Sequence, residues 1–359
     1  MFLQKINLLD FKNYEELSLQ FSADLNCIVG PNGSGKTSLL DAIHYLCLTK
    51  SAFSVLDGQN IRHHQDFFLV DGTFMEGGKK HQITVSLKAG GRKTVLHDKK
   101  AYERISEHIG RFPVVLIAPD DTDLVRDSGE TRRKFFDNML SQIDHAYLDN
   151  LIQYNNVLKQ RNGLLKQFYE RNYFDKELLE TYNVQLLPLG KLIHARRDAF
   201  MREFVPVFRN HYGYLSESRE EVDLIYESEL FEENFEYEFA YATKRDLQLQ
   251  RTTKGVHKDD FVFEIDRFAL RKFGSQGQQK SFVIALKLAQ FDAIQRAAGK
   301  KPLLLLDDIF DKLDDMRIHK LLEMISRDTF GQLFITDARP ERTRQLLGQL
   351  SGEIRFHET

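Results

Sequence analysis

The sequence predicts an α/β protein: a head on a parallel, helix-covered sheet, an antiparallel β subdomain, and an inserted short helical-hairpin arm. Three observations carry that prediction. A glycine-rich turn, Gly30-Pro31-Asn32-Gly33-Ser34-Gly35-Lys36-Thr37, lies between a strand-like run over 25–29 and an amphipathic run over 36–48. Strand and helix patterns alternate from FVFEI through a helix over 279–297, strand LLLLDD, a helix over 317–325 and strand LFIT, as in a parallel sheet. Between these stretches, residues 143–207 carry two long apolar stripes at spacings of three, four and seven. The segments divide as 1–140, an N-terminal lobe of the head; 141–210, the arm; and 211–359, a C-terminal lobe.

The chain has 359 residues, beyond the ~250 to 300 at which a single core stops growing, so a head plus an insertion is expected. Net charge is −3, so nucleic-acid binding would need local basic clusters. Cys27 and Cys47, the only cysteines, have no metal spacing and read as buried thiols of a reducing compartment. The first residues already carry Lys5, Asp10, Lys12, Glu15 and Glu16, which does not read as a signal peptide, and apolar runs stay far below the ~18 residues of a membrane span. A cytoplasmic location is expected.

Taken in order, FLQKINLLDF and YEELSLQF read as two paired strands before the strand that feeds the glycine turn. That turn fits G-x-x-x-x-G-K-[ST]. Its glycines reach backbone angles that turn successive N–H groups inward, and the following helix adds the positive end of its dipole. Residues 30–37 would therefore cradle phosphates, with Lys36 at the β- and γ-phosphates and the Thr37 hydroxyl on Mg²⁺.

Residues 67–100 read as an antiparallel meander with turns at Gly77-Gly78 and Gly90-Gly91. Between Lys79 and Arg104 this stretch holds Lys79, Lys80, Lys88, Arg92, Lys93, Lys99, Lys100 and Arg104 against only Asp98 and Glu103. Such a face is either an edge protected against aggregation or a surface for DNA phosphates. A buried strand, VVLI, follows and ends near Asp120 and Asp121. In the arm, Ile143, Tyr147, Leu151, Tyr154, Leu158, Leu165 and Phe168 form one stripe, and Leu179, Tyr182, Leu186, Leu189, Ile193, Phe200, Phe204 and Val207 the other. The turn is expected near Asn172 to Asp175, a kink at Pro188, and an exposed basic face with Lys191, Arg196, Arg197, Arg202 and Arg209, solvated or touching DNA or a partner. The acidic run 217–238, with strand candidate VDLIYESEL, carries no functional reading.

Four apolar residues then two acids, Leu303 to Asp308, form a Walker B pattern. A buried strand ending there would set Asp307 to hold Mg²⁺ through water and Asp308 to polarise the attacking water. Upstream, Phe273-Gly274-Ser275-Gln276-Gly277-Gln278-Gln279-Lys280 resembles the signature motif of the ABC ATPases. The resemblance implies an ABC-type P-loop ATPase head in which Ser275, Gly277 and Gln278 meet the γ-phosphate held by a second subunit, ATP joining two heads. Asp311-Lys312-Leu313-Asp314 resembles the D-loop, and Thr336-Asp337 falls where transporters carry a switch histidine.

The phosphate loop and the signature lie about 240 residues apart around a helical hairpin, which resembles the structural-maintenance-of-chromosomes and RecF branch. The phrases LDFKNYEELSLQF, APDDTDLVRDSGETRRKFFD, TTKGVHKDDFVF, FGSQGQQKSFVIALKLAQ and LLLLDDIFDKLDD are similar to the RecF family across nearly the whole chain. That resemblance implies a cytoplasmic bacterial protein of DNA replication, recombinational repair and the SOS response. It would dimerise on ATP, bind gapped DNA at single-strand/double-strand junctions, and help RecR and RecO load RecA. Other ABC-type ATPases, of phage defence or transport, are the alternatives; fewer than about 25 residues follow Asp337, which leaves no room for an appended nuclease. Departures from the ABC pattern are Gln276 where transporters have glycine, no glutamine between Arg111 and Leu140, so that Asp120 or Asp121 would substitute, and Asp308 in place of glutamate. The shorter carboxylate predicts slow hydrolysis, with ATP acting as a switch.

Overall fold

The structure, a computed structural model, describes residues 1–217, 219–311, 315–326, 329–348 and 352–359. The expected D-loop, Asp311 to Asp314, lies outside the described residues apart from the backbone of Asp311. The chain forms two compact units, Met1–Asp121 with Leu286–Thr359, and Thr122–Ala285.

In the first unit β1 (Phe2–Phe11) and β2 (Tyr14–Gln20) pair antiparallel, and β3 (Leu25–Val29), buried at all five positions, feeds the glycine turn and helix α1 (Lys36–Leu48). β4 (Phe67–Glu76) and β5 (Lys79–Lys88) are joined by Gly77-Gly78 at φ 54° and 78°, the type I′ geometry for which glycine costs least. β6 (Thr94–His97) and β7 (Lys100–Ala101) turn through Asp98-Lys99, also at positive φ. These strands make one antiparallel sheet in the order β2-β1-β4-β5-β6-β7. A register shift between Leu3 and Lys5 lets Leu3, Ile6 and Leu8 all face inward, where they share a core with Leu39, Ile43 and Leu46 of α1. β8 (Val114–Ile117) is wholly buried.

The second unit opens with α2 (Asp123–Arg126) and α3 (Gly129–Ile143), followed by the antiparallel hairpin α4 (His145–Arg171) and α5 (Lys176–Ser216). The turn falls where expected: Asn172, left-handed at φ 48°, ends α4, and the Asp175 carboxylate accepts from the Leu178 N–H at 2.9 Å to start α5. Helix α5 runs unbroken through Pro188 and Pro206. β9 (Val222–Glu227), α6 (Phe235–Tyr241), α7 (Thr243–Leu249), β10 (Asp260–Ile265), β11 (Phe268–Ala269) and α8 (Leu270–Phe273) complete the unit, with a three-stranded sheet in the order β11-β10-β9. The hairpin falls in one unit with the residues on either side of it. Helix α5 packs on α3 through Phe204 against Phe136 at 5.7 Å and on this small sheet through His194 against Tyr226 of β9 at 5.6 Å, while Phe136 stacks in turn on Phe261 of β10 at 4.1 Å.

The expected basic face of the arm keeps Lys191, Arg202 and Arg209 exposed but is corrected at Arg197. Arg197 is 1% exposed; it donates to Asp259 at 2.7 Å, Asp137 at 2.8 Å and the Val256 carbonyl at 2.9 Å. Arg196 pairs with Asp144, Arg202 with Asp198, Arg209 with Asp223 and Lys191 with Glu236. Arg161, which no stripe predicted, is fully buried in α4 with Asp246 at 2.8 Å, because each desolvated guanidinium needs a carboxylate.

Helix α9 (Gln276–Ala298) carries the chain back into the first unit, where β12 (Leu303–Leu306), α10 (Asp315–Ser326), β13 (Leu333–Asp337), α11 (Pro340–Leu347) and β14 (Ile354–Glu358) follow. The second sheet is parallel throughout, in the order β14-β3-β13-β12-β8; β3, β8, β12 and β13 are buried along their whole length because both faces are covered, while the edge strand β14, IRFHE, is only partly buried. Gln332 ties this sheet to the antiparallel one: its amide accepts from the Leu3 N–H at 2.7 Å and donates to the carbonyls of Leu3 and Ser22. Both cysteines are buried thiols, and among the described residues no helix is long and apolar enough to cross a membrane.

Candidate functional site

The turn after β3 is shaped by glycines that admit no side chain. Gly33 and Gly35 have φ of 84° and 110°, and a Cβ at Gly35 would collide with Asn13 Nδ2 and lie 2.9 Å from the Tyr14 hydroxyl. Those neighbours hold the loop from outside, Tyr14 donating to the Gly35 carbonyl at 3.1 Å and Asn13 to that of Ser34 at 3.4 Å. At Gly30 a Cβ would sit 2.6 Å from the Thr359 carbonyl, and the Ser34 and Thr359 hydroxyls are 2.7 Å apart. Lys36, 5% exposed, bridges the loop, its ammonium donating to the carbonyls of Gly30 at 2.9 Å and Pro31 at 3.0 Å.

β12 and β13 bring the acids to this loop. Asp307 leaves the end of β12 with its backbone N–H bonded to the Ile117 carbonyl at 2.8 Å, and its carboxylate accepts from the Thr37 hydroxyl at 3.0 and 3.1 Å. Thr336, at 0% exposure on β13, donates to Asp307 at 2.7 Å and accepts from the Asp308 N–H at 2.9 Å. Burial pushes the Asp307 carboxyl above its ordinary range, against the hydrogen bonds from Thr336 and Thr37; the neighbouring Asp308 adds to the rise. Asp308 takes a left-handed φ of 43°, which turns the chain at the strand end and sets the residue in the cavity wall.

That cavity, about 630 Å³, is lined by Asn32, Gly33, Gly35, Lys36, Thr37, Ser38 and Asp308, and by Lys12, Asn13, Gln59, Ile61 and His63. The second group was missed as site residues: it comes from the β1–β2 turn, which lies in LDFKNYEELSLQF but suggested no ligand contact, and from the 57–63 segment, which carries no motif. Lys12 is fixed there by its ion pair with the buried Asp41. The chemistry suits a nucleoside polyphosphate. An ammonium and a helix N-terminus meet anionic oxygens, while a hydroxyl and a carboxylate 3 Å apart can share a hard, oxygen-seeking cation.

Of the two switch candidates, Thr336 touches Asp307, whereas Asp337 instead caps the start of α11, accepting from the Arg339 N–H and the Thr343 hydroxyl at 2.8 Å each. Neither substitute for the loop glutamine lines the cavity. Asp121 accepts from the Ala118 N–H at 2.6 Å and pairs with Lys287 at 2.7 Å, so its carboxylate is committed to the chain's own cations.

The signature stretch lies in the second unit. Helix α9 starts at Gln276, three residues before the expected 279, because Ser275 and Gln278 form a reciprocal capping box: the Gln278 N–H donates to Ser275 Oγ at 3.2 Å and the Ser275 N–H to Gln278 Oε1 at 2.7 Å. Gly277 thus falls in the first helical turn, and Ser275 and Gln276 are exposed. In the basic meander Lys79, Lys80, Lys88, Arg92, Lys99, Lys100 and Arg104 are exposed. Lys93 is not part of that surface; it pairs with Asp57 at 2.8 Å and donates to the Thr49 carbonyl.

Residues 2–353 match the model of the RecF/RecN/SMC N terminal domain. The chain is 50% identical over 343 residues to the DNA replication and repair protein RecF of Cytophaga hutchinsonii, covering 96% of this chain and 91% of that one. To the Flavobacterium johnsoniae protein of the same name it is 48% identical, with 97% of each covered. Among solved structures, the recombination mediator protein RecF with ATPrS, of the RecFOR pathway, superposes with a TM-score of 0.88 at 27% identity, covering 99% of this chain and 96% of that one. An Smc head domain from Pyrococcus furiosus shares the fold at a TM-score of 0.53 and 19% identity.

Proposed function

The chain belongs to the RecF family, and from that premise we propose that it is an ATP-gated DNA-binding protein of replication and recombinational repair. The observation that carries the proposal is the Thr37–Asp307–Thr336 chain of hydrogen bonds beside the glycine loop. It supports a site in which residues 30–37 wrap the phosphates and Lys36 exchanges the carbonyls of Gly30 and Pro31 for phosphate oxygens. Mg²⁺, when bound, neutralises the phosphate charge and would be held by Thr37 and, through water, Asp307. Thr336 orients Asp307, and Asp308 in the cavity wall polarises the attacking water.

In this reading Ser275, Gly277 and Gln278 meet the γ-phosphate of a second copy, so nucleotide closes a homodimer over DNA. An exposed serine at a helix start supports that assignment. The seven exposed cations of the meander are the surface offered to DNA phosphates, at gapped single-strand/double-strand junctions. RecR and RecO are the partners in loading RecA, in the cytoplasm, and slow hydrolysis resets the switch, with a turnover under ~10 per second.

Light scattering with Ser275→Arg tests the dimer. The variant is expected to bind ATP as the wild type does and to stay monomeric at nucleotide concentrations that dimerise the wild type. Dimerisation of the variant at unchanged nucleotide concentration contradicts the role given to the signature stretch.

A further inference from the structure

At the edge of the antiparallel sheet, far in sequence from the glycine loop, three ligand-type side chains converge. His81 projects from β5, His97 from the end of β6, and Asp98 from the first position of the β6–β7 turn. His81 Nδ1 and His97 Nε2 are 3.1 Å apart, and Asp98 Oδ2 lies 3.7 Å from the first and 3.4 Å from the second. A hydrogen bond can satisfy one pair of these atoms; a cation at their centre satisfies all three.

The dimensions are those of a metal site. The three separations define a triangle whose vertices all lie about 2.0 Å from one central point, and a cation slightly above that plane would sit at the ~2.0–2.2 Å expected of Zn–N and Zn–O bonds. Three vertices of a tetrahedron are then filled and the fourth is left for an exchangeable ligand.

The surroundings hold the ligands in this arrangement. Asp98 is locked by two backbone contacts with Gln82: the Gln82 N–H donates to Asp98 Oδ1 at 2.8 Å, and the Asp98 N–H donates to the Gln82 carbonyl at 2.8 Å. That leaves Oδ2 as the atom aimed at the histidines. Phe112 packs against both imidazoles and Tyr102 stacks on His97, giving the site an apolar backing that limits solvent access and lowers the local dielectric.

We propose that His81, His97 and Asp98 form a binding site for a divalent transition metal, with Zn²⁺ as the ion best suited to two imidazoles and one carboxylate. The ion would clasp the short β6–β7 hairpin to β5. This site is separate from the Thr37–Asp307 pair in both residues and ligand chemistry, and it does not depend on the nucleotide reading.

The test uses the full chain, stripped with chelator and kept in excess Mg²⁺ to occupy oxygen-only sites. Zn²⁺ uptake is measured by equilibrium dialysis with elemental analysis, and Co²⁺ by visible absorption. The wild type is expected to take up one equivalent of Zn²⁺ and to give a Co²⁺ ligand-field band of tetrahedral strength. The double variant His81→Gln with His97→Gln should lose both signals. Asp98→Asn, which keeps the left-handed turn and an oxygen for the Gln82 N–H, should keep the fold and bind at least ~10-fold more weakly. No stoichiometric uptake by the wild type overturns the proposal. So does an unchanged affinity in Asp98→Asn, which decides the matter even if the double variant fails to fold.

Discussion

Thr336→Val isolates the link between β13 and the acid at the end of β12. Thr336 is fully buried and its hydroxyl makes two contacts at once, donating to Asp307 at 2.7 Å and accepting from the Asp308 N–H at 2.9 Å. Valine has the same shape but neither function. The change removes a hydrogen bond to an ionised group and orphans a backbone donor, at a cost of about 1–3 kcal/mol. At roughly 2–4 °C per kcal/mol this predicts a melting point about 2–12 °C lower without nucleotide. The effect on the site should exceed the effect on the fold. Asp307 loses one of the two hydroxyl donors that oppose its upward shift, so its affinity for Mg²⁺ should fall ~10–100-fold, as for other supporting partners of metal ligands. The assay pairs thermal denaturation with nucleotide binding titrated against Mg²⁺. A variant with wild-type melting and wild-type Mg²⁺ dependence refutes the reasoning, because it would mean that Thr336 supports neither acid.

Three further perturbations follow from the same geometry. Asp307→Asn should melt higher than the wild type at neutral pH without nucleotide: burial raises the folded carboxyl, so its contribution to stability is present below the unfolded pKa and is lost as pH rises through the folded one. The gap should close as pH falls below the ordinary carboxylate range, and a constant gap across pH would contradict it. Arg197→Met leaves Asp259, 3% exposed, without its cation and should cost ~3–5 kcal/mol in urea unfolding; a loss under ~1 kcal/mol would show that the cluster is not a linchpin of the second unit. Replacing Lys79, Lys80, Lys99 and Lys100 by Ala should flatten the salt dependence of DNA binding by up to ~0.9 per lost phosphate contact while nucleotide binding stays unchanged; an unaltered slope assigns DNA to another face.

Much of this was legible because it is local. The glycine turn and α1 fall on the residues the spacing predicted, and each apolar run of the parallel sheet reads as a buried strand because both faces are covered. The start of α9 was also legible and was misread: S-x-x-Q at 275–278 is a capping box, a stronger start signal than the apolar pattern beginning at 279. What the sequence hides is long-range pairing. Periodicity assigns an arginine to the solvent face, yet Arg161 and Arg197 are buried because Asp246 lies 85 and Asp259 62 residues away in the chain. The resemblance marked Thr336 and Asp337 alike as switch candidates, and only folding sets Thr336 against Asp307; nothing near Lys12 announces its place in the cavity wall. The basic meander was legible as composition, but only the structure separates Lys93, spent on Asp57, from its exposed neighbours.

The central claim is that nucleotide held through Lys36 governs DNA binding. Fluorescence anisotropy of a labelled gapped duplex tests it, with the wild type and Lys36→Ala, each with and without ATP, at low and moderate salt. Only the wild type is expected to gain affinity with ATP, and salt is expected to weaken the gain. Equal binding by both proteins, indifferent to ATP, would contradict it and leave the nucleotide site serving some other partner.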